Sequence, residues 1–167
     1  LITKNTRAIL ITNPGNPTGV VLTQEEMRMI ADVAKKHDLF LICDEVYREF
    51  CYDDKFGVPT MAHYRDIDEN LVIIDSVSKR FFFFFARVGC VITKNKELQQ
   101  ALLKFCQSRL SVATIDQLGA AALYSVDADF YKNCKEEYRR RRDLVVSKLR
   151  QIPGVMVEEP MGAFYVM

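Results

Sequence analysis

Four short apolar runs, each closed by polar or turn-forming residues, place the strongest constraint on the fold of this chain. They occupy residues 8–11, 39–43, 71–75 and 88–92. Continuous apolar runs of this length are typical of strands in a parallel sheet that is covered on both faces. The first run is expected to be buried on both faces and to lead into a tight loop at residues 13–17.

Helical patterns separate and follow these runs. Thr23 is a predicted N-cap that forms a capping box with Glu26, and apolar residues at helical spacing extend this helix to Lys36. The alternation of strand, helix and strand predicts an α/β fold, with a mostly parallel sheet and helices on both faces. Three later helices are predicted at residues 98–110, 116–125 and 129–150.

The break at residues 152–154, Ile-Pro-Gly, ends the last predicted helix. We therefore expect residues 1–150 to belong to one large domain and residues 151–167 to begin a smaller α+β domain. Residues 162–167 resemble the first part of another strand. Because the chain starts at Leu1 and stops within that strand, we expect it to be an internal fragment of a longer protein.

The composition excludes several classes of function. The formal net charge of the 167 residues is +1 and the pI is about 7.8, so no basic surface for nucleic acid or an anionic membrane is expected. No apolar stretch approaches the roughly 18 residues of a membrane-spanning helix. The five cysteines lack CxxC spacing and several lie in apolar runs. We interpret them as buried free thiols of a cytoplasmic protein.

Charged residues outside the loops give no sign of a further site. The two histidines, His37 and His63, have no partner at metal-ligand spacing, so no metal site is expected. The arginine run at residues 139–142 is interpreted as a solvated helix face because acidic residues surround it.

Three polar loops follow the first three strands. They lie at residues 13–16, 44–47 and 76–79. Ligands of open α/β sheets bind where the carboxyl ends of the strands meet such loops. We therefore expect the three loops to form one site, and we regard Lys79, directly after an apolar strand, as a candidate covalent nucleophile.

The amino-acid sequences of these loops resemble the motifs of a known family. The motifs are NPGNPTG at residues 13–19, DEVY at 44–47, SVSK at 76–79 with Arg87 after it, and PMGAFY at 160–165. In this order and spacing they resemble the motifs of fold-type I aminotransferases, class I/II, and most resemble bacterial aspartate aminotransferases. The resemblance covers essentially the whole chain. It implies a PLP-transferase type I large domain with pyridoxal 5'-phosphate (PLP) as cofactor.

The resemblance also implies roles for individual residues. Lys79 would form the Schiff base with PLP and then act as the base and acid that moves the substrate proton. Asp44 would face the pyridine nitrogen and keep it protonated. Tyr47 and Asn16 would hydrogen-bond the phenolic oxygen of the cofactor.

The phosphate group of PLP would bind a second set of residues. Arg87 would pair with the phosphate, and Ser76 and Ser78 would donate hydroxyl hydrogen bonds. One segment departs from the family, because residues 81–85 are five phenylalanines where small residues are usual. Phe85 stands where the family has a glycine, so we expect backbone strain there of about 1–3 kcal/mol.

The charged neighbours of Tyr47 carry no role by resemblance. We interpret Glu45, Arg48 and Glu49 as local helix charges.

The implied activity is transamination, which moves an amino group from an L-amino acid, with aspartate as the first expectation, to a 2-oxo acid such as 2-oxoglutarate. The resemblance also implies a homodimer in the full-length protein, and we expect the fragment alone to be inactive. Two alternatives remain open: a PLP-dependent β-lyase acting on cysteine conjugates, and an aminotransferase-like sensory domain of a transcription regulator.

Overall fold

The four apolar runs form one sheet in the computed structural model, which describes residues 1–167. The sheet order is β1-β2-β3-β4; the first three strands are parallel and β4 is antiparallel to β3. The predicted mostly parallel sheet is confirmed. β4 runs in the opposite direction because the segment between β3 and β4 contains no helix longer than a single turn, which is too short to return the chain along the sheet. The strands are β1 (Ala8–Thr12), β2 (Phe40–Asp44), β3 (Leu71–Ser76) and β4 (Gly89–Ile92).

Every predicted helix is present, with ends that differ from the prediction by at most two residues. The single-turn helix α2 is not among the predicted ones. No helix has both the length and the apolar character that crossing a membrane would require. The helices are α1 (Gln24–Lys36), α2 (Val77–Arg80), α3 (Lys96–Ser108), α4 (Thr114–Leu123) and α5 (Ala128–Leu149).

The start of α1 is fixed by the predicted capping box. The backbone N–H of Glu26 donates to the Thr23 hydroxyl at 3.2 Å, and the backbone N–H of Thr23 donates to the Glu26 carboxylate at 2.8 Å. Both bonds satisfy N–H groups that have no partner inside the helix. The capping box therefore determines where the chain leaves the loop after β1 and begins to cross the sheet.

One face of the sheet packs against α1. Leu41 and Cys43 of β2 and Ile73 of β3 are buried against Met27 and Ala31 of the helix. Full burial of a large aliphatic side chain contributes about 1.5–3 kcal/mol, so this layer is a main source of stability. The packing also fixes the direction of the three parallel strands and of the loops that follow them.

The opposite face of the sheet is less covered. Val72 in the central strand β3 is buried, but Leu10 is 67% exposed and Val91 is 48% exposed. The expectation that residues 8–11 are buried on both faces is therefore wrong. β1 is an edge strand, and no helix of this chain covers Leu10. The apolar run therefore indicates that these residues form a strand, but it does not indicate that the strand is buried.

Residues 162–167 do not form the predicted strand. Gly162 makes one isolated antiparallel bridge with Cys51, because no neighbouring strand offers a longer series of hydrogen bonds. The segment is held instead by the loop after β1, since the N–H groups of Met161 and Gly162 both donate to the Gly19 carbonyl, at 2.8 and 2.9 Å. The boundary between residues 1–150 and 151–167 stays a prediction.

The arginine run at residues 139–142 lies on α5. Arg140 and Arg141 pair with Glu137 at 3.0 and 2.7 Å on the exposed surface, which agrees with a solvated helix face. Arg142 is different, because its side chain is only 14% exposed and donates to the Pro160 carbonyl at 2.8 Å. Arg142 therefore connects α5 to the C-terminal segment.

The five cysteines are all free thiols, but only two of them are buried. Cys43 and Cys51 are in the interior and Cys134 is half-buried, whereas Cys90 and Cys106 are exposed. The prediction of buried thiols is wrong for the last two. Cys90 lies on the edge strand β4, and Cys106 lies on α3, a helix without a buried residue.

Replacing Thr23 by Ala is expected to destabilise the protein by about 1 kcal/mol, because the capping hydroxyl is lost and the Glu26 N–H is left without its partner. Urea unfolding measures this loss. The control Thr23→Ser keeps the hydroxyl and should retain most of the stability. Equal stability of the Ala variant and the unsubstituted protein would show that the capping box does not contribute.

Candidate active site

The three loops expected to form one site do lie side by side. The Asn13 N–H donates to the Asp44 carbonyl at 3.0 Å, and the Glu45 N–H donates to the Ile74 carbonyl at 3.0 Å. These bonds continue the parallel ladders from β1 to β2 and from β2 to β3. The carboxyl ends of the three strands therefore meet at one edge of the sheet, where ligands of α/β proteins bind.

The loop after β1 presents Asn16 at an exposed tip. The Asn13 side chain is buried and accepts a hydrogen bond from the Leu22 N–H at 3.0 Å, which closes the base of the loop. Gly19 adopts a left-handed conformation with φ of 70°. A Cβ atom on Gly19 would lie 2.2 Å from Cβ of Pro160, so only glycine permits this close approach of the C-terminal segment.

The loop after β2 places a carboxylate and a phenol next to each other. Asp44 ends the strand, and its Oδ1 accepts a hydrogen bond from the Val46 N–H at 3.2 Å. The other carboxylate oxygen of Asp44 has no protein partner. The chain then turns, with the Phe50 N–H donating to the Tyr47 carbonyl at 2.8 Å, and Tyr47 itself is buried.

The hydroxyl group of Tyr47 lies at the centre of the site. Burial, followed by the hydrogen bond with the Tyr165 hydroxyl, raises the pKa of Tyr47 well above its usual range. The nearby Asp44 carboxylate raises it further, and the Asn16 side chain opposes the increase. Tyr47 is therefore a neutral phenol at physiological pH and can donate a hydrogen bond.

The Lys79 amine lies between two aromatic rings. Its Nζ atom is 5.7 Å from the centroid of the Tyr47 ring and 5.9 Å from that of the Phe164 ring. It makes no hydrogen bond and no ion pair with another side chain. The amine is half-buried and has no protein partner, so it is available to a ligand at this edge of the sheet.

The two serines belong to the same turn as Lys79. Ser76 ends β3 and caps α2, since its hydroxyl accepts a hydrogen bond from the Ser78 N–H at 3.2 Å. The Ser78 hydroxyl has no protein partner. Both residues are half-buried, and both precede Lys79 in the chain.

Arg87 is less closely connected with the other predicted residues. Its backbone is left-handed, with φ of 58°, and its exposed guanidinium donates to the Phe84 carbonyl at 2.7 Å. No contact joins this guanidinium to Lys79 or Asp44. The backbone next to Arg87 is nevertheless bonded to α2, because the Val77 N–H donates to the carbonyl of Val88, the residue after Arg87, at 3.3 Å. Arg87 is not paired with an acidic side chain, so most of its N–H groups remain available to an anion.

The phenylalanine run at residues 81–85 is buried at its start and exposed at its end. Phe81 is buried against Tyr124, with ring centroids 5.2 Å apart, whereas Phe84 and Phe85 are 59% and 67% exposed. The strain expected at Phe85 is not present, because this residue lies in a 3-10 turn (Phe84–Ala86). Phe82 has the unfavourable backbone instead, with φ of 55°, which for this residue type costs about 1–3 kcal/mol.

Two groups of residues at the site were missed by sequence reasoning. Phe164 and Tyr165 contact Lys79 and Tyr47, although their motif had suggested no role for them. Glu45 and Arg48 are not local helix charges, since they belong to a buried ion-pair cluster behind the site. Charged residues directly after buried strands are the signal that could have indicated this cluster.

The residues at this edge of the sheet suit a small anionic, carbonyl-bearing cofactor. A free amine at Lys79 can bond an aldehyde carbon, and the free oxygen of Asp44 can accept a hydrogen bond from a protonated ring nitrogen. The phenol of Tyr47 and the hydroxyl of Ser78 are donors for oxygen atoms. This donor set fits the cofactor that the motif resemblance implies.

Comparison with known proteins gives consistent matches along the whole chain. The family model "Aminotransferase class I and II" matches residues 1–167. An aspartate aminotransferase of Pyrococcus horikoshii is 35% identical over 167 residues, and one of Bacillus subtilis is 32% identical over 165 residues. Each alignment covers 99% of this chain but 42% of the relative, so the chain spans less than half the length of these relatives.

Solved structures agree with the sequence relatives. The aspartate aminotransferase from Rhizobium meliloti superimposes with a TM-score of 0.90 at 28% identity, over 99% of this chain and 42% of that one. A Thermus thermophilus aspartate aminotransferase variant complexed with tryptophan gives a TM-score of 0.86 at 32% identity, over 99% and 43%. The arrangement of strands and loops described above is thus shared with these enzymes.

Replacing Tyr47 by Phe is expected to reduce the loss of stability in alkali. The pKa of Tyr47 is raised above its ordinary value of 10, so the folded state keeps the phenol proton after the unfolded state has lost it. Stability is thus fully present below pH 10 and decreases as the pH rises toward the raised pKa. Urea unfolding at about pH 8 and about pH 11 measures the decrease, which should be smaller in Tyr47→Phe.

The control for this experiment is Tyr124→Phe. Tyr124 is 60% exposed, so its replacement should leave the alkaline decrease as it is in the unsubstituted protein. An unchanged decrease in Tyr47→Phe would contradict the description of Tyr47 as a buried, protonated phenol.

Proposed function

Because the chain belongs to the class I and II aminotransferases, we propose that it supplies the Lys79 side of the active site of a PLP-dependent aminotransferase. The reaction transfers an amino group from an L-amino acid to a 2-oxo acid. The observation that supports this proposal most directly is the free amine of Lys79 between Tyr47 and Phe164, at the same edge of the sheet as Asp44.

Lys79 has two tasks in this proposal. Its Nζ would hold the cofactor covalently, and once free of that bond the same nitrogen would act as the base and acid that moves the proton of the substrate Cα. When bound, PLP supplies the electron sink that makes the Cα proton acidic. The rings of Tyr47 and Phe164 limit the positions that Nζ can reach, which favours a short proton transfer.

Asp44 and Tyr47 would set the charge of the cofactor ring. The free oxygen of Asp44 would accept a hydrogen bond from the pyridine N–H and hold the proton there, since the carboxylate is half-buried and its other oxygen is already bonded to the Val46 N–H. Tyr47 and the Asn16 side chain would both donate hydrogen bonds to the phenolic oxygen of the cofactor.

The phosphate would bind next to α2. Ser76 and Ser78 offer hydroxyl groups in the turn that carries Lys79, and Arg87 offers the N–H groups that the Phe84 carbonyl does not use. The exposed position of Arg87 allows its guanidinium to rotate toward an anion in this turn. We propose these three residues as the phosphate site.

We propose aspartate as the amino donor and 2-oxoglutarate as the acceptor. The support for aspartate is that relatives at 32% to 35% identity are named aspartate aminotransferases. We also propose that the full-length protein acts as a homodimer in the cytoplasm. Formation of glutamate from aspartate and 2-oxoglutarate would support these substrates, whereas release of pyruvate and a thiol from a cysteine conjugate would indicate a β-lyase instead.

Replacing Lys79 by Ala in the full-length protein is expected to abolish the visible absorbance band that PLP forms with the amine and to lower the transamination rate by about 10²–10⁴-fold. Borohydride reduction followed by peptide mass spectrometry should place the label on Lys79 in the unsubstituted protein. The control Lys96→Ala removes a lysine at the start of α3, away from the site, and should leave the band unchanged. A reducible adduct that persists in Lys79→Ala would contradict the assignment.

The 167-residue chain expressed alone is expected to show no measurable transamination, because it spans only about 42% of the length of its relatives. A coupled assay with aspartate and 2-oxoglutarate tests this, with the full-length protein as the positive control. Measurable aspartate-dependent transamination by the isolated chain would overturn the expectation.

A further inference from the structure

A cluster of buried and half-buried charged side chains lies next to Tyr47 and Lys79. It consists of Asp75, Glu45, Arg48, Glu49 and Arg80, and we call it the Asp75 cluster. The side chains of Asp75, Arg80 and Arg48 are only 6%, 9% and 17% exposed. Charges at such depth are weakly screened by water, so their contacts have a strong influence on the position of the backbone.

Two arginines bind the same oxygen of Asp75. Arg48 Nη2 lies 3.1 Å and Arg80 Nη2 lies 2.5 Å from Oδ2, while Oδ1 accepts a hydrogen bond from the Ser76 N–H at 2.8 Å. Both oxygens of this carboxylate therefore accept hydrogen bonds from the protein. The single side chain of Asp75 connects the end of β3 with the loop after β2 and with α2.

Each of the two arginines directly follows a residue of the site. Arg48 follows Tyr47 in the loop after β2, and Arg80 follows Lys79 in α2. The backbone positions of Tyr47 and Lys79 are thus each one residue away from a guanidinium that Asp75 holds. A displacement of either arginine would change the distance between the Lys79 amine and the Tyr47 ring, which is now 5.7 Å to the centroid.

Arg80 depends on Asp75 more than Arg48 does. Arg48 also donates to the buried carboxylate of Glu45 at 3.0 Å, whereas the only hydrogen bond of Arg80 is the one to Asp75. Its buried Nε atom has no hydrogen bond, although Glu49 Oε1 is 3.4 Å away. Without the Asp75 charge, the Arg80 guanidinium would keep no hydrogen-bond partner in the interior and would have to move.

We propose that Asp75 is a positioning residue of the site. It holds Arg80 and Arg48, and through them it sets the position of the Lys79 amine relative to Tyr47 and Asp44. This inference rests on the proposed function of Lys79, because the consequence of misplacing the amine is slower bond formation with the PLP aldehyde. The bond forms between Nζ and the aldehyde carbon with loss of water, and no other reactant is needed.

The test measures the rate of imine formation when PLP is added to the cofactor-free, full-length protein, together with the dissociation constant of PLP. Asp75→Asn keeps the shape of the side chain and an acceptor for the Ser76 N–H but removes the charge. We expect imine formation to be slower by about 10- to 100-fold, since a displacement of the order of 1 Å has effects of this size. The control Asp66→Asn removes the same charge from an exposed carboxylate that pairs with Arg28 and Lys35. It should leave the rate unchanged.

A double variant separates positioning from a merely structural role. Asp75→Asn combined with Arg80→Gln removes both charges of this ion pair and leaves Glu49 with Arg48 as its partner at 3.8 Å, so the melting temperature should recover toward that of the unsubstituted protein. The rate of imine formation should remain low, because the contact between β3 and α2 is still missing. If the single variant fails to fold, the double variant carries the test by itself.

The outcomes distinguish this inference from the proposed function. An unsubstituted protein that forms no imine would overturn the proposed function and the inference with it. Imine formation at the unsubstituted rate in Asp75→Asn, or a rate that recovers together with the melting temperature in the double variant, would overturn the inference alone. A slow rate in both variants beside an unchanged Asp66→Asn supports it.

Discussion

Parallel pairing of the first three strands is the constraint on which the rest of the structure depends. Because β1, β2 and β3 run in one direction, their carboxyl ends lie along one edge, and the bonds from Asn13 to Asp44 and from Glu45 to Ile74 continue the pairing into the loops. Three chain segments that are far apart in sequence thereby bring Asn16, Asp44 and Lys79 to the same place. Any change in strand register would move them apart.

Two different kinds of contact hold this edge in place. Behind it, the charge of Asp75 holds two arginines in an interior where an unpaired charge would be costly. In front of it, the C-terminal segment approaches so closely that only glycine fits at Gly19, and this approach brings Phe164 to the Lys79 amine. Electrostatic and steric constraints therefore act on the same lysine from opposite sides.

Local patterns were predicted well because local physics decides them. The capping box of Thr23 and Glu26 depends on residues three positions apart, and the structure confirms it. Burial was predicted less well, since it depends on which element covers a residue. Leu10 and Cys90 lie in apolar runs but on edge strands, and both are exposed. The strain expected at Phe85 falls on Phe82 instead, because the actual path of the turn decides which residue takes the left-handed conformation.

The sequence by itself determined the four strands of the sheet, the four longer helices, the order of the motifs and the family to which they belong, because these follow from periodicity, capping and residue identity along the chain. Only the tertiary structure decided that Tyr165 contacts the hydroxyl of Tyr47 and that Arg48 and Arg80 share the carboxylate of Asp75. These contacts join residues whose separation is set by the whole path of the backbone. No local pattern contains that distance, so the sequence alone could not predict them.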